Sequence, residues 1–371
     1  MNDSAVLEIA RRFADDHISR FSLEWEANEA FPREVLQKAA KIGFAGLYVA
    51  EEFGGSAMTL AAGVRVFEGL GYGDPSFAGY LSVHNMCARI IAQFGSEEHK
   101  SQLLPDLVAF RTQAAYCLTE AHSGSDASTM QTRCARMGDG FSITGSKSFI
   151  TGAGAADLYL VFCMYDGQPV LLLVPAASAG VSVGGSEAKM GWRAQPTRQL
   201  FFSDTLVPMS ALVGLPGDGL RIAYSSLDVG RLNIAAAALG AAQCSLDRTI
   251  QYSRTRVTYG QPLSHHQALR FKIAGMEMLL QSGRALLYEA AERGDSCDTS
   301  FRHYAAMAKA VVTENSCKVI DEALQLHGGY GYLADFGIEK LLRDVRVHRI
   351  LEGTNEMMHV IAARTLLGRE A

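Results

Sequence analysis

Hydrophobic residues recur every three or four positions from residue 4 to about residue 107, for instance at Val6, Ile9, Ala10 and Phe13. This period places apolar side chains on one face of a helix, so it predicts that the first third of the chain is helical. Stretches that contain glycine interrupt the period and mark expected helix ends. Two such stretches are Gly54–Gly55 and residues 71–75.

The spacing changes between about residues 112 and 204. Short apolar runs at 158–163 and 170–174 are separated by turns that contain glycine, and the segment 141–144 follows a Gly-Asp-Gly turn. Apolar runs of this length between turn residues are typical of strands. The middle of the chain is therefore predicted to be mainly β.

Helical spacing resumes near Gly219 and continues to Leu367. Glycine and proline mark expected connections at 260–262 and 328–331. The order along the chain is helical, then β, then helical, which predicts a mainly α protein with a central β domain. The longest predicted helical runs are 220–254, 267–293 and 300–327.

Length, composition and charge narrow the class of protein. The chain has 371 residues, of which 48% are hydrophobic and 20% are charged, and its net charge is −5. Such a chain can form one large core with a smaller layer, or two to three packed subdomains. The negative charge and the lack of a Lys/Arg cluster argue against a nucleic-acid partner, although a few arginines could still bind an anionic substrate.

Cysteine spacing and the apolar runs indicate the compartment. The seven cysteines show no C-x-x-C spacing, so we expect neither a disulfide framework nor a metal site. The first residues lack a basic segment followed by an apolar one, and the longest apolar stretch, 234–242, is too short to cross a bilayer. These features predict a cytoplasmic protein with reduced thiols and no membrane insertion.

The segment HRILEGTNEMMH, residues 348–359, carries the most informative carboxylate of the chain. It places Glu352 beside Gly353 and Thr354, near the end of a long helical region. A carboxylate next to a small residue can approach a bound substrate closely. A glutamate before a glycine is also common at a solvated helix end, and that alternative stays open on this segment alone.

Two segments around the start of the β region combine polar and aromatic residues. Residues 116–126 concentrate small and hydroxyl-bearing residues, so their N–H groups could face a phosphate or could simply form a turn. Residues 147–154 contain Phe149, Ile150 and Thr151, which could flank a flat ring and donate one hydrogen bond. An ordinary strand end explains the second segment equally well.

Three features of the last third also have two interpretations. Asp228 and Arg231 share a helix face, where they could contact a ligand or pair with each other. Arg256 suits a diphosphate, or it could stabilise the end of its helix. The glycine-rich segment 325–332 lets the backbone approach a ligand or forms a helix cap, and His327 alone is typical of a packed histidine.

Together, and in this order, the segments resemble the acyl-CoA dehydrogenase family over essentially the whole chain. The matching segments are YCLTEAHSGSD (116–126), KSFITGAG (147–154), LDVGR (227–231), RTRVTYG (254–260), QLHGGYGY (325–332) and ILEGTNE (350–356). Within the family, the chain resembles the isobutyryl-CoA dehydrogenases most. That similarity lies in KMGWRAQPTR (189–198), GRLNIA (230–235) and RDVRVHRILEGTNEMM (343–358). The resemblance implies an N-terminal helical domain (1–112), a middle β-barrel-like domain (113–215) and a C-terminal four-helix bundle (216–371).

The resemblance implies FAD-dependent α,β-dehydrogenation of a short branched-chain acyl-CoA, with conversion of isobutyryl-CoA to methacrylyl-CoA in valine catabolism as the leading case. Glu352 would take the α-proton, flavin N5 would take the β-hydride, and the electrons would pass to an electron-transferring flavoprotein. An α-proton beside a thioester is weakly acidic, so Glu352 needs a water-poor site that raises its pKa. Some family members carry the base just before the arginine of LDxxR. Gly230 stands there in this chain, which favours Glu352.

The resemblance also implies which residues hold FAD. A first group would surround the ring and the ribityl-diphosphate, with Thr119 and Thr151 hydrogen-bonded to the ring. It comprises Tyr116, Cys117, Leu118, Thr119, Ser123, Gly124, Ser125, Phe149, Ile150 and Thr151. A second group resembles contacts donated by a neighbouring subunit and comprises Arg256, His266, Gln267, Gln325, Leu326, His327, Gly328 and Gly329. A third group follows the base and comprises Thr354, Asn355 and Glu356. A shared cofactor implies a homo-oligomer, a tetramer built as a dimer of dimers.

Substrate contacts follow from the same resemblance. The expected residues are Ser125, Asp228, Val229, Gly230, Arg231, Gly353 and Arg364. Gly353 would leave room for the thioester, and arginine suits the adenine–phosphate end of CoA. The chain departs from the family pattern TEPGAGSD or TEPGSGSD, because Ala121 and His122 replace Pro and Gly. We expect a looser turn and altered affinity or substrate choice there, with FAD binding retained.

Several functional alternatives stay open at this point. The substrate could be a straight short-chain acyl-CoA or 2-methylbutyryl-CoA, and the carrier could be CoA or an acyl carrier protein. A flavin oxidase or monooxygenase on the same fold would pass electrons to oxygen, but the resembling oxidases use a different base or none. A flavin-free binding or scaffold protein is disfavoured by the intact FAD segments.

Overall fold

The computed structural model describes residues 3–368, and its first third is helical as the hydrophobic spacing predicts. The helices are α1 (Asp3–His17), α2 (Ser22–Asn28), α3 (Arg33–Lys41), α4 (Leu60–Gly73), α5 (Pro75–Phe94) and α6 (Glu97–Val108). The expected break at 71–75 is confirmed, because α4 ends there and Asp74 caps α5. The Asp74 carboxylate accepts the backbone N–H groups of Ser76 (2.7 Å) and Phe77 (2.9 Å).

The middle of the chain forms one eight-stranded sheet. Its strands are β1 (Ala114–Cys117), β2 (Arg133–Met137), β3 (Gly140–Thr151), β4 (Leu158–Tyr165), β5 (Gln168–Pro175), β6 (Val181–Ser186), β7 (Thr197–Pro208) and β8 (Leu212–Val213). The strand order is β6-β7-β3-β2-β4-β5-β8, and β1 pairs with β4 in parallel. The β character predicted for this segment is confirmed.

Strand β4 explains why its sequence is apolar throughout rather than alternating. Leu158, Leu160 and Phe162 pack into a core shared with the N-terminal helices. Their neighbours Tyr159 and Val161 point to the other face and pack into a core inside the sheet domain. Because successive side chains of a strand face opposite sides, a strand between two cores is apolar at every position.

The last third is again helical. It contains α7 (Gly219–Thr255), α8 (Gln267–Asp295), α9 (Phe301–His327), α10 (Ile338–Arg346) and α11 (Asn355–Leu367). The three long predicted runs are confirmed to within two residues at each end. Two short antiparallel strands, β9 (Val257–Thr258) and β10 (Gln261–Pro262), form the connection between α7 and α8 that Gly260 and Pro262 predict.

The apolar stretch 234–242 lies at the centre of α7, where every residue is buried in the core. Burial within the protein therefore accounts for its hydrophobic character. Within residues 3–368, no helix combines the length and the apolar character that crossing a membrane requires. The domain limits at 112/113 and 215/216 stay predictions, and the outermost limits, 1 and 371, lie outside the described residues.

A buried ion network joins three parts of the chain close to the segment that carries Glu352. The ammonium of Lys340 on α10 lies 2.8 Å from Asp74 Oδ2 and 2.6 Å from Asp344 Oδ2. The other oxygen of Asp344 accepts the backbone N–H of Trp192 at 2.6 Å, in the loop before β7. The network therefore fixes α10 against α5 and the sheet domain, and α10 leads directly into the Glu352 segment.

Candidate active site

Glu352 lies in a tight turn between a 3₁₀ helix, Val347–Arg349, and the first residue of α11. Its φ is 55° and that of Gly353 is 92°, so two successive residues occupy the left-handed region. This conformation is unfavourable for a glutamate and is kept only where the surroundings enforce it. Thr354 then caps α11 by accepting the N–H of Met357 at 3.3 Å.

The carboxylate of Glu352 is buried without a hydrogen-bond partner. Both of its oxygens are inaccessible and neither has a partner among the described residues. Burial raises the pKa of Glu352 from 4.5 to about 7, against the opposing attraction of Arg231 and Lys309. An unpaired buried carboxylate is costly and is characteristic of functional sites. The alternative of a solvated helix end is therefore wrong for Glu352.

Gly230 on α7 faces this carboxylate directly. A Cβ atom at Gly230 would lie 2.2 Å from Glu352 Oε2, closer than real Cβ contacts allow. A larger residue at 230 would therefore displace the carboxylate. Position 230, where the resemblance allows for an alternative base, therefore lies directly beside the Glu352 carboxylate.

Gly353 has a structural explanation of its own. A Cβ there would lie 2.8 Å from the terminal methyl group of Met358, and its positive φ also favours glycine. The positive φ alone favours glycine here, since the flexible end of Met358 could move aside. The expected role of Gly353 in leaving room for a thioester stays a prediction.

Asp228 and Arg231 pair with each other, as the simpler interpretation of their spacing predicts. Arg231 donates to Asp228 at 2.6 Å, and Arg302 from α9 donates to the other carboxylate oxygen at 2.9 Å. Arg231 also donates from Nε to the backbone carbonyl of Glu352 at 3.2 Å. Arg231 is thus a buried residue that holds the Glu352 turn. Val229 lies in the hydrophobic core.

The first group of expected FAD residues gathers at the ends of β1 and β3. The N–H of Ser148 donates to the carbonyl of Thr119 at 2.9 Å, which brings the segments 116–119 and 149–151 together. The pKa of Tyr116 is raised well above its usual value, first by burial and in part by the Glu352 charge, so the Tyr116 phenol lies within electrostatic reach of Glu352. Phe149, at a φ of 58°, leaves 65% of its surface exposed.

Other members of the first group differ in how accessible they are. Cys117, Leu118 and Ile150 are buried in the cores, so a ligand could meet them only through the main chain. Ser123 donates to the carbonyl of Asp126 at 2.7 Å. Gly124 and Ser125 are exposed.

The unusual Ala121–His122 pair sits on a turn that a buried ion pair supports. Glu120 accepts Lys147 Nζ at 2.7 Å and the N–H groups of Gln131 (2.7 Å) and Thr132 (3.0 Å). His122 lies 3.4 Å from the same carboxylate and is partly exposed. Glu120 therefore anchors this turn in the absence of the usual proline and glycine.

Three family models match the chain in sequence order. They are the N-terminal domain of acyl-CoA dehydrogenase over residues 2–111, its middle domain over 115–205 and its C-terminal domain over 217–367. The chain belongs to the acyl-CoA dehydrogenase family.

Relatives and solved structures agree with this membership. The chain is 42% identical to the mitochondrial isobutyryl-CoA dehydrogenase of Dictyostelium discoideum, over 96% of this chain and 87% of that protein. It is 39% identical to the corresponding protein of Bos taurus, over 97% and 88%. Butyryl-CoA dehydrogenase from Megasphaera elsdenii superimposes with a TM-score of 0.95 at 34% identity, covering 98% of each chain.

Two further structures bear on the cofactor and the electron acceptor. A glutaryl-CoA dehydrogenase from Mycobacterium smegmatis in complex with FADH2 has a TM-score of 0.96 at 26% identity, over 100% of this chain and 96% of that one. A structure from work on the electron transferring flavoprotein of Acidaminococcus fermentans has a TM-score of 0.96 at 33% identity, over 99% and 98%. The acyl-CoA dehydrogenases are FAD-dependent, so the expected cofactor and fold are confirmed at the level of the family.

Six of the eight residues in the second group, all except His266 and Gln267, line an open cleft of about 490 Å³ between the ends of α7 and α9. Arg256 lies 5.7 Å from the centre of the Tyr330 ring on its wall. A Cβ at Gly328 or Gly329 would meet nothing within 4 Å, so the backbone there is open to a ligand. A cation beside open backbone fits a diphosphate-bearing cofactor. Neither Glu352 nor the first group lines this cleft.

His327 and its neighbours show how the cleft wall is built. The His327 ring stacks on Tyr252 with centroids 4.4 Å apart, and its Nδ1 lies 2.8 Å from the Ala323 carbonyl. Burial lowers the pKa of His327, so a neutral packed histidine lines the cleft. His266 instead bonds to Thr258 at 3.2 Å, and Gln267 is exposed at the start of α8.

Lys309 on α9 belongs to the site, although the sequence did not single it out. Its ammonium donates to the carbonyl of Gly353 at 2.7 Å and to Asn355 Oδ1 at 3.0 Å. Asn355, expected to touch the cofactor, uses its side chain to bond Lys309 and Thr313. One charged residue within the run of small and apolar residues 305–312 was the available signal.

The remaining expected residues lie at the surface. Glu356 and Arg364 are exposed on α11. Among residues 3–368, no group of three or more His, Cys, Asp or Glu side chains could hold a metal ion.

Proposed function

We propose that this acyl-CoA dehydrogenase family member removes the α- and β-hydrogens of a short branched-chain acyl-CoA, with isobutyryl-CoA as its substrate and Glu352 as its base. The observation that carries the proposal is the unpaired, buried carboxylate of Glu352, whose pKa is raised to about 7. A base of this pKa combines a substantial ionised fraction at neutral pH with enough proton affinity to assist a weakly acidic C–H bond.

Each residue of the proposed site would have a separate role in the reaction. Glu352 takes the α-proton, and the lack of hydrogen bonds to its oxygens leaves its lone pairs available for that proton. FAD, when bound, would accept the β-hydrogen as hydride. The product would be the α,β-unsaturated thioester, and both electrons would be held by the reduced cofactor until an acceptor takes them. Arg231 keeps the Glu352 turn in place through the Glu352 carbonyl.

The first group of FAD residues, at the ends of β1 and β3, would hold the ring beside Glu352. The second group, in the cleft around Arg256, would serve the cofactor of a neighbouring subunit, because neither Glu352 nor the first group lines that cleft. This division supports an oligomer, and we propose the homotetramer. An electron-transferring flavoprotein is the proposed acceptor, and the cytoplasm stays the proposed location.

Anaerobic bleaching of the flavin tests the proposed substrate. The holoenzyme is mixed with isobutyryl-, 2-methylbutyryl-, isovaleryl-, butyryl- or octanoyl-CoA and the absorbance is followed by stopped flow. Fastest bleaching by isobutyryl-CoA supports the proposal. Preference for a straight chain would keep the reaction and replace the substrate. Stoichiometric peroxide in air would instead indicate an oxidase.

The raised pKa of Glu352 predicts how the rate of flavin reduction depends on pH. Glu352 is active as the carboxylate, so kcat/KM should fall about tenfold per pH unit below its pKa of about 7 and level off above it. Reduction of the same flavin by dithionite needs no base and should not follow this profile. An inflection near 4.5, the ordinary value for glutamate, would contradict a buried base.

Arg256 provides a test of the cleft. Arg256→Gln removes the cation and should weaken FAD binding about tenfold or more, since hydrogen bonds to charged groups contribute about 1.5–3 kcal/mol. The Kd of FAD for the apoenzyme is measured by quenching of flavin fluorescence. Arg254→Gln is the matched control, because Arg254 is exposed and does not line the cleft. Equal affinities in the two variants would contradict a cofactor role for the cleft.

A further inference from the structure

Two cations from different helices hold the main chain of the Glu352 turn. Arg231 on α7 donates to the carbonyl of Glu352, and Lys309 on α9 donates to the carbonyl of the next residue, Gly353. Neither cation hydrogen-bonds the Glu352 carboxylate, whose oxygens have no partner among the described residues. The turn is thus fixed through its backbone while its side chain stays free.

Lys309 is fully buried, which sets it apart from an ordinary lysine of a helix. Its neighbours on α9 include Ala305, Ala306 and Ala308, which are also buried. Burying an ammonium among such residues is unfavourable unless it is well paired. An apolar side chain of similar length would suit these surroundings without that cost, so the retained charge requires an explanation.

The partners of Lys309 all belong to the base and its flanking residues. Beyond the Gly353 carbonyl, Lys309 donates to Asn355 Oδ1, and Thr313 one turn along α9 bonds the same amide oxygen at 3.2 Å. The left-handed residues Glu352 and Gly353 therefore connect to a side-chain network rooted in α9. Loss of the network would remove the contacts that oppose relaxation of this strained turn.

We propose that Lys309 is a positioning residue for the base: its hydrogen bonds fix the Glu352 turn and its positive charge stabilises the ionised carboxylate without pairing with it. The inference rests on the proposed role of Glu352 and adds a residue to which no part has been assigned. The Lys309 ammonium and the Glu352 carboxylate are both buried, so the attraction between their charges is only weakly screened.

The other charged and titratable groups near the site come from several elements. Arg231 approaches from α7, with Asp228 behind it, and the Tyr116 phenol lies on the β1 side. Arg349 and Glu356 flank Lys309 from the segments on either side of the turn. Burial lowers the pKa of Lys309 to about 7 while attraction to Glu352 opposes that shift, so the two ionised groups support each other near neutrality.

Three substitutions separate charge from shape. Lys309→Met removes both the charge and the hydrogen bonds, Lys309→Gln keeps a donor without charge, and Lys309→Arg keeps the charge. The readout is the infrared stretch of the protonated Glu352 carboxyl, identified by its loss in Glu352→Gln and titrated with pH. We expect the titration midpoint to rise by about one pH unit in the Met and Gln variants, a tenfold change in the protonation equilibrium. The Arg variant should stay near the parent value.

Thr313→Ala is the structural control, because it removes a bond to Asn355 and leaves the charge in place. It should lower thermal stability without moving the midpoint. Unchanged midpoints in both the Met and Gln variants would overturn the proposal. If Lys309→Met does not fold, the comparison of Gln with Arg decides the question.

The infrared titration does not require turnover, so it separates this inference from the proposed function. A raised midpoint together with full activity of Glu352→Gln would keep the role of Lys309 in the ionisation and refute Glu352 as the base. If Glu352→Gln is inactive but the midpoint does not move in the Lys309 variants, Glu352 is kept as the base and the role of Lys309 is refuted. The pH profile of kcat/KM in each variant should shift in parallel with the midpoint.

Discussion

Glu352→Gln should slow flavin reduction by the acyl-CoA substrate by roughly 10²–10⁴-fold, the range over which a positioned general base acts. Glutamine has almost the same shape and removes only the ability to accept the proton, so substrate binding should be retained. The rate is measured by anaerobic stopped flow, and binding is measured by the spectral change of the flavin. Glu98→Gln is the matched control, because Glu98 is exposed on α6, far from the site in sequence.

The same substitution should increase stability at high pH. The folded-state pKa of Glu352 is raised from 4.5 to about 7, so the folded enzyme loses stability as pH rises through this interval and regains none above it. Glutamine has no such titration. One pKa unit corresponds to about 1.4 kcal/mol. The free energy of unfolding of Glu352→Gln should therefore exceed that of the parent protein by about 3 kcal/mol at pH 8, and the two should differ little near pH 4.5. Urea titrations at the two pH values measure this, and full turnover or equal stability at pH 8 would contradict a buried catalytic carboxylate.

Gly230→Ala should have the second largest effect. Its Cβ would lie 2.2 Å from Glu352 Oε2, and α7 is a buried helix whose backbone cannot easily retreat. The carboxylate would have to move, and a displacement of about 1 Å at a reacting group can cost about 10²-fold in rate. The measurement is again flavin reduction, together with the infrared band of Glu352.

A glycine elsewhere in the same bundle supplies the control for Gly230→Ala. Gly275 lies on α8, and a Cβ there would meet nothing within 4 Å. Gly275→Ala should leave the rate unchanged and stabilise the protein by up to about 1 kcal/mol through helix propensity. A normal rate in Gly230→Ala would show that the base has another position during catalysis.

The sequence predicted the elements well because their signals are local. The run 220–254 becomes the helix Gly219–Thr255, since its periodicity and its glycine and proline boundaries are read from neighbouring residues. The same holds for the break before α5, where Asp74 and Pro75 provide a cap and a first-turn proline. The family motifs also allowed the fold and the cofactor to be predicted, because each motif identifies a particular segment of the family's structure.

The environment of the base could not be predicted, because it is created by contacts that are distant in sequence. Locally, Glu352-Gly353 is indistinguishable from a solvated helix end. Its burial depends on α7 and α9, through Gly230 and Lys309. The burial of Lys309 is not apparent from the sequence, because a lysine in a helix normally reaches solvent along its flexible stem. Asp74 and Lys340 are separated by 266 positions, and no local sequence pattern predicts that they pair.

Strand β4 acts as a partition between two hydrophobic compartments. Its even-numbered residues 158, 160 and 162 belong to the compartment shared with helices, and its odd-numbered residues 159, 161 and 163 belong to the interior of the sheet. Each compartment can therefore be repacked from its own side of the strand. In related enzymes, substitutions at the even-numbered positions can change the helical compartment while the odd-numbered residues in the sheet interior stay the same.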